Sequence, residues 1–182
     1  MIKRFVKRII DDLKNLHYGH KGKNSVIIKP MRILGKKHIY IGNNVTILNQ
    51  ARIEAVTKWN GADYKPSIVI KDGASIEQCC HIIAADELVI EKDVVISAFV
   101  YIADCQERFD KKSRMMESEL TVKRVLIKEG AFIGIGAVIM PGVTIGKKAV
   151  IGANAVVTKD VPDYEIWAGV PAKFLKKNMI DR

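Results

Sequence analysis

The sequence predicts an all-β chain wound as a coil of short parallel strands. Aliphatic residues recur every six positions at Ile127, Ile133, Ile139, Ile145, Ile151 and Val157. Two positions before each sits a second small or branched apolar residue, at Val125, Ala131, Ala137, Val143, Ala149 and Ala155, and polar or glycine-bearing turns separate the pairs. A helix advances about 100° per residue, so a step of six would scatter these side chains around its cylinder. Inward positions two apart describe strands, and the period of six is that of a β-helix.

Taken in chain order, the first 20 residues read as an amphipathic helix. Ile2, Phe5, Val6, Ile9, Ile10, Leu13 and Leu16 share one face, with Lys3, Arg4, Lys7 and Arg8 on the other. The expected role is to cap the open end of the solenoid, with contact to a membrane surface as the alternative. The coil is expected over 21–162. Its upstream runs are Ile41, Ile47, Ile53, then Ile70, Ile76, Ile82, then Ile90, Ile96, Ile102, and each break between them marks an insertion. The segment from Val56 to Ser67 is a protruding loop, residues Ala84 to Glu87 bulge by about two, and the frame is lost over 104–122. Residues 163–182 form a tail.

A chain of 182 residues with 48% hydrophobic content fits one domain with a real core. No apolar run reaches the roughly 20 residues of a membrane span, so the expected location is cytoplasmic, with the inner membrane surface open through the N-terminal helix. The three cysteines, Cys79, Cys80 and Cys105, show no metal-ligand spacing and read as reduced thiols. The net charge of +10 favours anionic partners. Nucleic acid is excluded as the expected partner, because the basic residues are dispersed and no binding motif is present. No metal is expected: the four histidines, His17, His20, His38 and His81, are not placed for a hexapeptide metalloenzyme.

The stretches PGVTIG (141–146), VVTKDVP (156–162) and GVPAK (169–173) resemble the hexapeptide-repeat acyltransferases, in the branch of galactoside, nodulation-factor and surface-polysaccharide O-acetyltransferases. The resemblance spans roughly Ile39 to Lys177. It implies a left-handed parallel β-helix, a homotrimer, and acetyl-CoA as co-substrate in the cleft between subunits. By position it implies coenzyme contacts at Ile135 and Ala153 through their backbones, and at Thr158, Lys159, Lys173 and Lys176. Lysines suit the coenzyme's phosphates, and a small Ala153 lets a pantetheine arm lie close. Trp167 and Tyr164 either border the adenine or pack over the last coil.

The stretch YIADCQERFD (101–110) opens the long insertion. There the resemblance implies a histidine as general base, and Glu107 stands in its place. A glutamate near its ordinary pKa of about 4.3 is a weak base for an alcohol unless its surroundings raise it. Arg108, Lys111, Lys112 and Arg114 would act the other way. Three readings stay open: a tuned Glu107 base, an amino-sugar acceptor that needs no histidine, or an inactive site. Cys105 as a nucleophile lacks an adjacent activating histidine. His81 reaches the cleft or lines the wall. Asp86 and Glu77 are the candidate contacts to acceptor hydroxyls or an amine, against a plain reading as solvated turn residues. The expected function is acetyl transfer to a sugar hydroxyl or amine in surface-polysaccharide or glycolipid biosynthesis. A glycan precursor or nucleotide-sugar acceptor suits the basic charge. The alternative is a catalytically inactive trimeric scaffold that keeps coenzyme binding.

Overall fold

The computed structural model describes residues 18–108 and 118–178. The expected N-terminal helix falls almost wholly outside them. Its last predicted residue, His20, already belongs to a strand of the coil, His20–Lys21.

The chain winds through three sheets, parallel from coil to coil and taken in turn at each coil. The first face stacks His20–Lys21, Ile39–Ile41, Ser67–Ile70, Glu87–Ile90, Val125–Ile127 and Thr144–Ile145. The second stacks Val26–Ile27, Thr46–Ile47, Ser75–Ile76, Val95–Ile96, Phe132–Ile133 and Val150–Ile151, and then takes in the tail through Glu165–Ala168 and Lys173–Lys177. The third stacks Arg32–Leu34, Arg52–Ala55, His81–Ala84, Tyr101–Ala103, Val138–Ile139 and Val156–Val157. Many of these strands are only two residues long. A two-residue strand cannot hold itself in place, so the coil is stabilised by what each strand places over its neighbour.

That register puts like on like. On the first face Ile41, Ile70, Ile90, Ile127 and Ile145 are successive partners. On the second they are Ile47, Ile76, Ile96, Ile133 and Ile151, and on the third Ile53, Ile82, Ile102, Ile139 and Val157. These side chains are all 0–1% exposed and form one core running the length of the prism. A step of six therefore moves the chain to the next face, and one full turn of 18 returns it to the same face.

The corners differ in kind. Between the first and second faces, Asn24, Asn44, Gly73, Asp93, Gly130 and Lys148 all adopt positive φ, as do Gln50, Cys79, Phe99, Gly136 and Asn154 between the second and third. Asparagine and glycine enter this left-handed region at least cost, so the polar turn residues recur in column. Gly134 does something else. A Cβ there would lie 2.7 Å from the Ala153 nitrogen and the Ile151 oxygen, so glycine permits close approach of successive coils. The third corner, between the third and first faces, has no such column and carries every insertion. Ile82 to Ile90 is eight positions instead of six, while Ile53 to Ile70 and Ile102 to Ile127 span 17 and 25.

Replacing Ile96, which is fully buried between Ile76 and Ile133, by alanine is expected to lower the unfolding free energy by about 3 kcal/mol in urea denaturation.

Candidate functional site

The third corner is built from side chains that fasten one insertion to the next. Asp104 ends the Tyr101–Ala103 strand and is fully buried. Its carboxylate accepts the Ala85 amide at 2.7 Å and the Asp86 amide at 2.8 Å, both from the two-residue bulge one coil earlier. Its own carbonyl accepts the Lys123 amide at 2.7 Å, where the long insertion returns. Burial pushes the Asp104 carboxyl above its ordinary range, while the two amides and the Cys105 thiol favour its charged form and offset part of that rise.

The ends of the long insertion are not loop but ribbon. Cys105–Glu107 pairs antiparallel with Leu120–Val122, setting Glu107 opposite Leu120. The earlier insertion braces the returning arm. Its hairpin, Lys58–Trp59 with Ala62–Asp63, donates from Trp59 Nε1 and Asn60 Nδ2 to the Ser118 carbonyl at 3.1 and 2.9 Å, and the Tyr64 hydroxyl accepts the Leu120 amide at 3.0 Å. Backbone groups that would otherwise lack strand partners are thereby satisfied.

Cys105 is buried, and its thiol is pushed up to about 12, first by burial and then by Asp104. A thiol so far from ionising is no nucleophile near neutral pH. Glu107 is half-buried and has no hydrogen-bond or ion-pair partner among the described residues. Its charge reaches the Tyr101 hydroxyl, whose pKa is raised by burial first and then by Cys105 and Glu107. Lys111, Lys112 and Arg114 lie outside the described residues.

Tyr101 belongs to a polar row on the outer side of the third face. Arg32, Arg52, His81 and Tyr101 are successive register partners. The His81 and Tyr101 ring centroids are 6.4 Å apart. Glu54, only 6% exposed, lies between two guanidinium groups, 2.7 Å from Arg52 Nη2 and 3.1 Å from Arg32 Nε. The arginines and Glu54 were not among the sequence candidates. Their signal was the outward position next to an inward isoleucine, at Arg32 beside Ile33 and Arg52 beside Ile53.

The remaining candidates divide between the two edges of this face. Glu77, Ile135 and Ala153 lie at the second corner, and the GVPAK stretch crosses beside them: Val156 donates to the Gly169 carbonyl at 3.0 Å and Ala172 to that of Val156 at 2.8 Å. Lys173 and Lys176 follow on the last strand, exposed. Asp86, Thr158 and Lys159 lie at the third corner with Glu107. Asp86 is 3.4 Å from Arg124 Nε, an exposed pair worth little energetically. Among the described residues Lys159, Lys173 and Lys176 have no ion-pair partner. Trp167 packs over Ile151 and donates to Glu165 at 2.8 Å, so it serves the last coil. A groove of about 400 Å³ on the first face, lined by His20, Tyr40, Lys71 and Lys92 among others, contains none of these candidates.

Residues 124–159 match the model of the bacterial transferase hexapeptide (six repeats). WbbJ of Escherichia coli K12, named as a candidate lipopolysaccharide biosynthesis O-acetyl transferase, is 31% identical over 118 residues, 60% of each chain. The galactoside O-acetyltransferase of Lactococcus lactis is 46% identical over 55 residues, 30% of this chain and 27% of that one. The matched region thus spans less than two thirds of these relatives' lengths. Among solved structures, AntD, an N-acyltransferase from Bacillus cereus in complex with dTDP and 3-hydroxybutyryl-CoA, superposes with a TM-score of 0.75 at 21% identity, covering 92% of this chain and 87% of that one. A maltose O-acetyltransferase from Clostridium difficile gives 0.59 at 24% identity, covering 91% and 73%. At these identities the likeness is one of fold.

Asp104→Ala leaves the Ala85 and Asp86 amides without their acceptor. It is expected to cost about 3 kcal/mol of stability and to speed hydrogen exchange at Ala85 and Asp86, measured by mass spectrometry.

Proposed function

We propose that the chain, whose residues 124–159 match the bacterial transferase hexapeptide model, is a hexapeptide-repeat transferase that moves an acetyl group from acetyl-CoA to a hydroxyl or amine of a sugar. One observation carries the reading. Unpaired lysines and exposed backbone suited to a coenzyme flank the same face that holds an unpartnered carboxylate, Glu107, at the mouth of the long insertion. In this reading Glu107 is a catalytic residue. It accepts a hydrogen bond from the acceptor's nucleophile and stabilises the positive charge that nucleophile gains as it attacks the thioester.

Ile135 and Ala153 offer their backbones to the pantetheine arm, and Thr158, Lys159, Lys173 and Lys176 hold the phosphates. These groups lie on two different edges of one chain. A cleft that gathers them forms between two copies, in keeping with a homotrimer of left-handed coils. Asp86 and Glu77 contact the acceptor from the same two edges. A glycan precursor or nucleotide-linked sugar fits the net charge of +10, and AntD, the structural neighbour, was solved with dTDP and an acyl-CoA. We place the reaction at the cytoplasmic side of the membrane, in surface-polysaccharide or glycolipid synthesis. Among the described residues no helix is long and apolar enough to cross a membrane. The glutamate at the position where the resemblance implies a histidine favours a second reading, a scaffold that binds coenzyme without turnover.

Isothermal titration with acetyl-CoA, followed by a thiol-release assay on amino, neutral and nucleotide-linked sugars, separates the two. Transfer requires both binding and turnover; binding alone selects the scaffold. Glu107→Gln is expected to lower turnover sharply, by about 100-fold, and leave acetyl-CoA affinity nearly unchanged. Replacing Lys173 and Lys176 together by alanine is expected to weaken acetyl-CoA about 10-fold, roughly 1.4 kcal/mol, with less effect at high salt.

A further inference from the structure

The third face carries a titratable group that the mechanism above leaves unused. His81 stands in the outward row between Arg52 and Tyr101, one coil before the strand that leads into the Glu107 ribbon. Its ring is half-exposed, meets Tyr101 at 6.4 Å between centroids, and has no hydrogen-bond partner among the described residues. The other described histidines are placed elsewhere. His20 lines the first-face groove, and the Nε2 of His38 is buried beside a short 3-10 turn.

We infer that His81 accepts a proton from the acceptor's amine as it reacts, while Glu107 holds that amine through its other N–H; this rests on the transferase reading above. As the acceptor nitrogen bonds to the thioester carbonyl carbon, one of its protons passes to the open ring nitrogen of His81. The carbon–sulfur bond then breaks, and the imidazolium returns that proton to the departing thiolate. The products are the acylated sugar and the coenzyme thiol, with His81 neutral again. Tyr101 stands between the two groups, its ring 6.4 Å from the imidazole and its hydroxyl within electrostatic reach of Glu107.

The surroundings suit a base. The groups facing the imidazole are Arg52 and Glu54 from one neighbouring coil and Tyr101 from the other. Burial and then the Arg52 charge lower the His81 pKa below its ordinary 6.5, and Glu54 partly opposes them. The neutral, proton-accepting form therefore predominates at pH 7 and is lost as pH falls through that lowered value.

The test is a pH–rate profile of thiol release with acetyl-CoA and the sugar panel, for the unmodified chain, His81→Gln, Glu107→Gln and Arg52→Gln. His81→Gln should lower kcat by about 100-fold or more, leave the acetyl-CoA Kd within about 2-fold, and remove the acid limb below pH 6.5 from the residual activity. Glu107→Gln should lose rate but keep that limb. Arg52→Gln should move the limb to higher pH, because a positive neighbour is removed; this variant tests the assignment even where His81→Gln proves unstable on thermal melting. Unchanged kcat and pH profile in His81→Gln overturns the role of His81 and leaves the transferase reading intact. No turnover by the unmodified chain on any acceptor overturns the transferase reading, and this assignment with it.

Discussion

Everything in this molecule depends on aliphatic side chains stacking on identical neighbours one coil away. A two-residue strand contributes only a couple of backbone hydrogen bonds, and each such bond adds only about 1 kcal/mol net. Burial of an isoleucine contributes about 1.5–3 kcal/mol. The core of Ile41 to Ile145, Ile47 to Ile151 and Ile53 to Val157 is therefore what holds the ladders in register. Because each contact is with the next coil, the prism tolerates long excursions at a corner, provided the chain returns in phase. The insertions at the third corner do so, bringing Ile70, Ile90 and Ile127 back under one another.

The same corner shows how a repetitive scaffold acquires a specific site. An excursion alone would be an untethered loop. Here a buried carboxylate, Asp104, binds one excursion to the next, and a hairpin two coils from the ribbon holds its returning arm through a carbonyl and an amide. The ribbon that presents Glu107 is thus fixed at both its ends. Beside it the outward row of Arg52, His81 and Tyr101 lies on strands whose inward partners are fully buried isoleucines. A rigid wall supplies the precision that a proton transfer needs.

The coil was legible in the sequence because each face contributes one inward aliphatic residue per six, so the spacing from Ile127 to Val157 reports the architecture directly. The breaks were legible too, as slips in that spacing. Their common location was not, since it appears only when positions are counted over three faces at once. Asp104 looked like a motif residue, yet its partners are the amides of Ala85 and Asp86, and a backbone amide leaves no mark on composition. The ribbon was hidden for a similar reason: Leu120 and Val122 find their partners across the insertion, 13 or more positions away. Glu77 and Asp86 looked alike as acidic turn residues, but one lies at the second corner and the other at the third.

The last strand, Lys173–Lys177, runs antiparallel to Glu165–Ala168, against the direction of every other ladder in the wall of the prism. A stack of parallel coils ends in unpaired backbone groups, and an identical end is a template for another molecule to add on. The reversal leaves a final edge whose direction, three lysines and protruding side chains do not match an incoming coil. On this face the chain therefore ends the ladder with a strand whose direction and charge differ from those of the coils beneath it.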